Sequence, residues 1–365
     1  MPLKTPTGKY SDPRKGRGAG INPEGRFEKT MREAFDDGWD GGVEDELPPL
    51  RTQVTEERVK SIISRNDSPD IPFSQSINPY QGCEHGCVYC YSRPTHAYRN
   101  LSPGIDFETR LFAKVNAAEA LRAELSKPGY RCEVISLGAN TDPYQPIERR
   151  HAITRSILEV LAEFNHPVGI VTKNAMVERD LDILAPMAQK RLVNVFISCN
   201  NLDHDIARRL EPRCSAPARR LAAMRRLTDA GVPVGVLVAP VIPFLTDDQI
   251  ESVLEAAWNH GARQAGYVLL RLPWEIKDIF RDWLVRHYPL KADHVMGRVH
   301  QMRGGRDNDP QFGSRMRGTG ELAALLARRF EVACRRLGYD RGSRYMTLDV
   351  GRFAVPGAAQ QMPLF

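Results

Sequence analysis

Short runs of β-branched and apolar residues alternate with longer amphipathic stretches through the middle of this 365-residue chain. The runs occupy residues 74–80, 133–137, 168–172, 193–199, 234–239 and 266–270. Between them, apolar positions recur at the helical period over 114–126, 149–164, 178–189, 218–230 and 247–260. Strands alternating with helices of this length build βαβ units around a parallel sheet. Six such strands predict an α/β fold, a partial (β/α)6 barrel of the TIM type. Gly231 ends the helix over 218–230, and Thr246, Asp247 and Asp248 open the next with capping oxygens and acidic charge. Pro167 and Pro233 sit just before strands, where a missing amide donor costs little. In parallel barrels functional groups gather at the carboxyl ends of the strands.

The ends of the chain follow another pattern. Residues 1–35 are rich in Gly, Pro, Lys and Arg, and residues 36–46 carry six carboxylates with no Lys or Arg. Such composition buries little apolar area. The expected division is an N-terminal arm over 1–60, partly disordered or laid over the barrel, a barrel core over 61–290, a basic extension over 291–352 and a tail over 353–365. The net charge of +6 is local, since residues 291–352 hold 13 Lys plus Arg against 7 Asp plus Glu. Arg303, Arg306, Arg315 and Arg317 lie on a Gly-rich stretch with Phe312, a composition suited to phosphate contacts and base stacking on DNA or RNA. Arginines at 208, 209, 219, 220, 225 and 226, and those of a helix over 321–337, read equally well as solvated helix faces. The longest apolar run, 231–245, contains three prolines and does not suit a membrane span.

The sharpest chemical signal is Cys83, Cys87 and Cys90, a CxxxCxxC run directly after the first strand. Three thiolates on one loop can hold three irons of a [4Fe–4S] cube and leave the fourth iron open. Zinc completed by His85 or His96 is the alternative, since no second cysteine pair follows at zinc spacing. An odd count of seven cysteines, with no apolar leader-like segment, fits the cytoplasm better than a disulfide framework.

The run Cys83-x-x-x-Cys87-x-Tyr89-Cys90 resembles the cluster loop of the radical S-adenosylmethionine (SAM) superfamily. Other strand ends extend the likeness: Thr141-Asp-Pro-Tyr-Gln-Pro with Glu148 downstream, Thr172-Lys-Asn, and Arg271-Leu-Pro. Together they resemble the spore photoproduct lyase-like branch over about residues 70 to 290. The resemblance implies a [4Fe–4S] cluster on the three cysteines, SAM on its open iron, and an electron donor of flavodoxin or ferredoxin type. It further implies that Lys173 and Ser198 meet the SAM carboxylate or ribose, that Tyr89 packs near the adenine, and that Asn140, Thr141 and Asp142 line the methionine side.

Two departures qualify it. Spore photoproduct lyases carry a hydrogen-donating cysteine after the second strand, where this chain reads Gly138-Ala-Asn-Thr141, and Cys132 lies at the other end of that strand. Phe244 stands where relatives commonly have glycine. The tail Gln361-Met362-Pro-Leu364-Phe365 resembles the peptide by which bacterial repair proteins bind the sliding clamp. The expected function is SAM cleavage with hydrogen abstraction from a substrate, with damaged DNA or another nucleic acid foremost. The rivals are a radical SAM enzyme acting on a protein or small molecule, and a non-catalytic zinc protein that binds nucleic acid.

Overall fold

The computed structural model describes residues 16–27, 50–340 and 348–357. Among the described residues ten strands form in chain order: β1 Gln53–Glu57, β2 Ile63–Arg65, β3 Gln75–Ile77, β4 Tyr80–Gln81, β5 Arg110–Lys114, β6 Ile135–Leu137, β7 Val168–Thr172, β8 Val193–Ser198, β9 Val234–Val241 and β10 Gln264–Leu269. Seven of them make one sheet in the order β10-β9-β8-β7-β6-β3-β2. Six run parallel, and β2 pairs antiparallel with β3 at one edge. The parallel strands lie side by side in sequence order, as successive βαβ crossovers require. The barrel stays open, because β2 and β10 are opposite edges of the sheet.

All six core strands coincide with the apolar runs of the sequence. The interstrand helices are Ala117–Leu125, Ile153–Glu163, Leu181–Gln189, Pro217–Asp229 and Ile250–Asn259, within one residue of the five helical segments read from periodicity. The first turns near 175–180 and 247–249 tighten into 3-10 helix. The run over 74–80 splits at Asn78 and Pro79. β3 stays in the main sheet, while β4 joins β1 and β5 in a separate three-stranded sheet. A two-residue strand and the half-exposed Gln53–Glu57 leave too little alternation to be seen in the sequence.

The main core lies between the sheet and its helices, with Ile77, Leu137, Ile170, Val195, Val236 and Leu269 fully buried. A second core surrounds Val88 and Tyr89 of the cysteine loop and is filled by Phe280, Trp283, Val295 and Val299. These come from helices Ile276–His287 and Ala292–Gln301, so the start of the basic extension supports the loop from below. Helix Gly320–Leu337 packs Ala323, Leu326, Phe330 and Ala333 inward, at helical spacing, and Arg329 on its flank pairs with Glu251 at 2.7 Å. Residues 16–27 also lie against the barrel: Gly18 and Ala19 donate their amides to Glu108 at 2.9 and 2.8 Å. Phe244 has φ +63, a left-handed conformation that glycine adopts without strain.

Gly138 ends β6 with φ +94, and a Cβ there would meet the Val171 carbonyl oxygen at 2.3 Å. Gly129 has φ +81 but open space around it. Gly138→Ala should therefore cost well over the ~1 kcal/mol expected of Gly129→Ala, read as denaturation midpoints. Equal losses would show that backbone conformation, not the close approach of β6 to β7, limits this position.

Candidate active site

The cysteine loop turns away from β4 at the carboxyl end of the sheet, and its backbone is fixed by side chains from other elements. Arg93 is fully buried and donates to the carbonyls of Cys87 at 2.9 Å, Gly86 at 3.2 Å, Pro103 at 3.2 Å and Gly104 at 2.9 Å. Its guanidinium also meets Glu108 at 2.5 Å. Gln145 spans the start of the loop, accepting from the Glu84 amide at 2.9 Å and donating to the Gly82 carbonyl at 3.1 Å. The amides of Cys83 and Val88 donate to Phe107 at 2.9 Å and Leu210 at 3.1 Å. Little freedom remains in the loop.

Cys83, Cys87 and Cys90 line one cavity of about 490 Å³. All are free thiols. Cys87 Sγ lies 3.6 Å from Cys214 Sγ. That contact pulls the Cys87 thiol down to about 7; burial opposes the shift and Lys173 assists it. Burial pushes Cys90 up to about 11. Of the two nearby histidines, only His85 meets a thiol: it contacts Cys83 and lines the same cavity. His96 Nε2 sits 2.9 Å from the Arg110 carbonyl oxygen. His85 lies between Asp142, 3.3 Å from Nδ1, and Asn174, 3.2 Å from Nε2. The described residues hold no group of three or more His, Cys, Asp or Glu placed around a single ion. Three thiols from one loop fit an iron–sulfur cluster that takes one thiolate per iron, while the His85 imidazole beside Cys83 is already engaged by Asp142 and Asn174.

The same cavity gathers Tyr89, Asn140, Thr141, Asp142, Lys173 and Ser198. They come from the cysteine loop and the ends of β6, β7 and β8, so the strand ends converge as the sequence predicts. Their side chains are not equally free. Thr141 Oγ1 donates to the Tyr80 carbonyl at 2.8 Å. Asp142 accepts from Thr172 Oγ1 at 2.7 Å, the Lys173 amide at 2.8 Å and the Tyr144 amide at 2.9 Å. Burial would raise its pKa, but His85 and these donors hold it at about 2. Asp142 is thus a brace between β6 and β7. Glu148, downstream in the same stretch, accepts from Tyr80, the Thr154 amide at 3.0 Å and Arg179 at 2.7 Å.

Lys173 and Ser198 keep their polar ends for the cavity, since neither makes a side-chain hydrogen bond among the described residues. Against the cost of burial, the Cys87 sulfur and the Glu211 carboxylate hold the Lys173 ammonium protonated. Tyr89 presents its ring and ties its hydroxyl to Glu211. Glu211 in turn pairs with Arg220, which donates to the carbonyls of Ser198 at 2.9 Å and Ser215 at 2.7 Å.

A family model described as the Radical SAM superfamily matches residues 77–257. Residues 77–257 are a radical SAM domain. An uncharacterized protein of Mycobacterium tuberculosis is 39% identical over 224 residues, which cover 60% of this chain and 65% of that protein. An uncharacterized protein of Methanocaldococcus jannaschii is 26% identical over 171 residues, covering 47% of this chain and 61% of its own. Thus the chain spans less than two thirds of the length of these relatives. Among solved structures, a variant of spore photoproduct lyase superposes with a TM-score of 0.55 at 17% identity, over 78% of this chain and 80% of that one. The lyase complexed with dinucleoside spore photoproduct gives 0.51 at 17% identity, over 78% and 77%. The radical SAM domain therefore shares its fold with that lyase.

Around the radical SAM domain, the arginine expectations divide. Arg303 is buried and donates to the carbonyls of Leu269, Leu270, Ser314 and Arg315 at 2.8–3.3 Å, so it braces the barrel and is not free for a phosphate. Arg220, read as a helix surface, is fully buried in the pair just described. Arg315 lines the cavity and pairs with Asp70; Arg306 and Arg317 are exposed. The tail residues Gln361, Met362, Leu364 and Phe365 lie outside the described residues. Arg93, Glu108, Gln145, Glu211, Cys214 and Arg271 were not singled out as site residues by sequence reasoning. Arg271, in the Arg-Leu-Pro turn, and Gln145, in the Thr-Asp-Pro-Tyr-Gln-Pro element, carried a signal.

Asp142 is depressed in the folded state, so its stabilisation is full above the unfolded carboxyl value near 4 and is lost as pH falls through about 2. Asp142→Asn should cost about 2 kcal/mol at pH 6. Thermal melts of both proteins should converge as pH falls toward 2. A gap that persists at pH 2 would show that geometry, not charge, carries the effect.

Proposed function

We propose that this protein is a radical SAM enzyme that reductively cleaves SAM and abstracts hydrogen from a nucleic acid. The observation that carries the reading is the single cavity that holds the three free thiols beside Lys173 and Ser198. When bound through Cys83, Cys87 and Cys90, a [4Fe–4S] cluster supplies an open iron for SAM and the electron that breaks its carbon–sulfur bond.

The chain's own residues do the positioning. The Lys173 ammonium, kept charged by its surroundings, neutralises the SAM carboxylate. Ser198 Oγ is suited to a ribose hydroxyl, and the Tyr89 ring, with its own hydroxyl already satisfied by Glu211, offers an apolar face to the adenine. Ala139 and Asn140 fill the cavity wall after β6, where a hydrogen-donating cysteine would stand in a lyase relay. This supports a hydrogen-transfer route without a cysteine at that position. The nucleic-acid part draws on the fold shared with a lyase complexed with a dinucleoside photoproduct and on Arg315 at the cavity wall.

Anaerobic reconstitution should load about four irons per chain. With reductant and SAM, the loaded protein should release 5′-deoxyadenosine, faster with oligonucleotide present, and deuterium should pass from a labelled oligonucleotide into that product. Zinc uptake without iron, or no SAM cleavage, would end the enzyme reading. Peptides that stimulate cleavage where oligonucleotides do not would end the nucleic-acid part. Lys173→Ala should weaken SAM binding by about tenfold, measured by equilibrium titration, with iron content unchanged. Unaltered SAM affinity would remove Lys173 from the site.

A further inference from the structure

Outside the residues that line the cavity, exposed aromatic rings form two groups, and each group holds an arginine. Tyr98 is 69% exposed, Trp274 61%, Phe312 60% and Phe27 49%. Arg26 lies over the Trp274 ring at 3.9 Å, and over Phe27 at 5.2 Å and Tyr98 at 5.7 Å. Arg315 lies over Phe312 at 4.4 Å. Trp274 is three residues beyond cavity-lining Arg271, and Tyr98 is seven beyond cavity-lining Tyr91. Single exposed aromatics are ordinary. Four in two groups, each within reach of a cation, offer faces for stacking.

Arg271 lines the cavity, three residues before Trp274. Its Nη1 reaches Met316 Sδ at 3.5 Å, its guanidinium lies 6.0 Å from the Tyr91 ring centroid, and its Nε is buried with no hydrogen-bond partner among the described residues. A buried donor without a partner costs stability until a ligand satisfies it. The neighbouring cation, Arg315, is met by Asp70 and by Ser68 Oγ at 2.6 Å.

We propose, building on the nucleic-acid reading, that the substrate is bound as an unpaired strand. Its bases stack on Trp274 and Tyr98 and on Phe312, and a phosphate of an intervening nucleotide meets Arg271. Flat π-faces accept any base, and cations beside them accept the backbone. A nucleotide that is to reach a reactive centre inside this cavity must leave its stack, which a duplex yields only after unstacking.

The test uses the full chain, iron-loaded and with SAM, and a fluorescently labelled single strand of about 12 nucleotides, compared with its duplex by anisotropy. The single strand should bind more tightly than the duplex. Tyr98→Leu, Trp274→Leu and Phe312→Leu, which keep apolar cover but lose the π-face, should each weaken single-strand binding by about tenfold, while Tyr98→Phe binds like the unaltered protein. Arg271→Gln should lower the salt slope of binding by about 0.7. Leucine variants that all bind within about twofold of the unaltered protein, or a duplex bound more tightly than the strand, would overturn the proposal. Ring-sensitive strand binding by a protein that cleaves no SAM would leave this surface standing and remove only the enzyme reading.

Discussion

The site depends on a buried charge pair, Arg93 with Glu108, that takes over the polar backbone of the cysteine loop. A loop that turns its thiols into a cavity must point its carbonyls into the protein, where each unpaired group costs about 1–3 kcal/mol. One guanidinium satisfies Gly86, Cys87, Pro103 and Gly104 together. Glu108 neutralises it and receives the amides of Gly18 and Ala19, so the arm closes over the same pair. A buried ion pair is worth keeping only when its remaining hydrogen bonds are satisfied, and here they are.

The rest of the cavity is built on the same principle. Glu211 and Arg220 bind Tyr89 on one side and the end of β8 on the other, which locks the loop to the strand that presents Ser198. Asp142 does this between β6 and β7, and Gln145 ties the β6 loop to the cysteine loop. The stretch from Thr141 to Glu148 therefore acts mainly as bracing for the residues that remain free, Lys173 and Ser198. Buried polar networks of this kind fix one arrangement, because partial satisfaction is worse than none. The free polar groups face the cavity because the others are already spent.

Charge around the cavity follows from this division. Lys173 is held protonated by the Cys87 sulfur and Glu211, while Arg271 and Arg315 line the same cavity from other elements. The basic surplus of the C-terminal extension is spread differently. Arg303 supports the carbonyls at the end of β10, Arg329 pairs with Glu251, and Arg306 and Arg317 remain exposed. Net charge counted along a segment could not separate these fates.

The sequence by itself determined the six parallel strands, their helices and the position of the cysteine run, because these rest on period, spacing and local turn chemistry. It also placed Lys173 and Ser198 at strand ends, since a strand end is legible wherever an apolar run stops. Only the tertiary structure decided which charged residues are buried. Arg93 and Glu108 stand 15 residues apart, Glu211 meets a tyrosine 122 residues away, and Arg303 reaches carbonyls 33 and 34 residues upstream. An arginine that solvates a helix and one that fixes a loop look alike in sequence. What separates them is whether a partner arrives from a distant strand end to offset the loss of water.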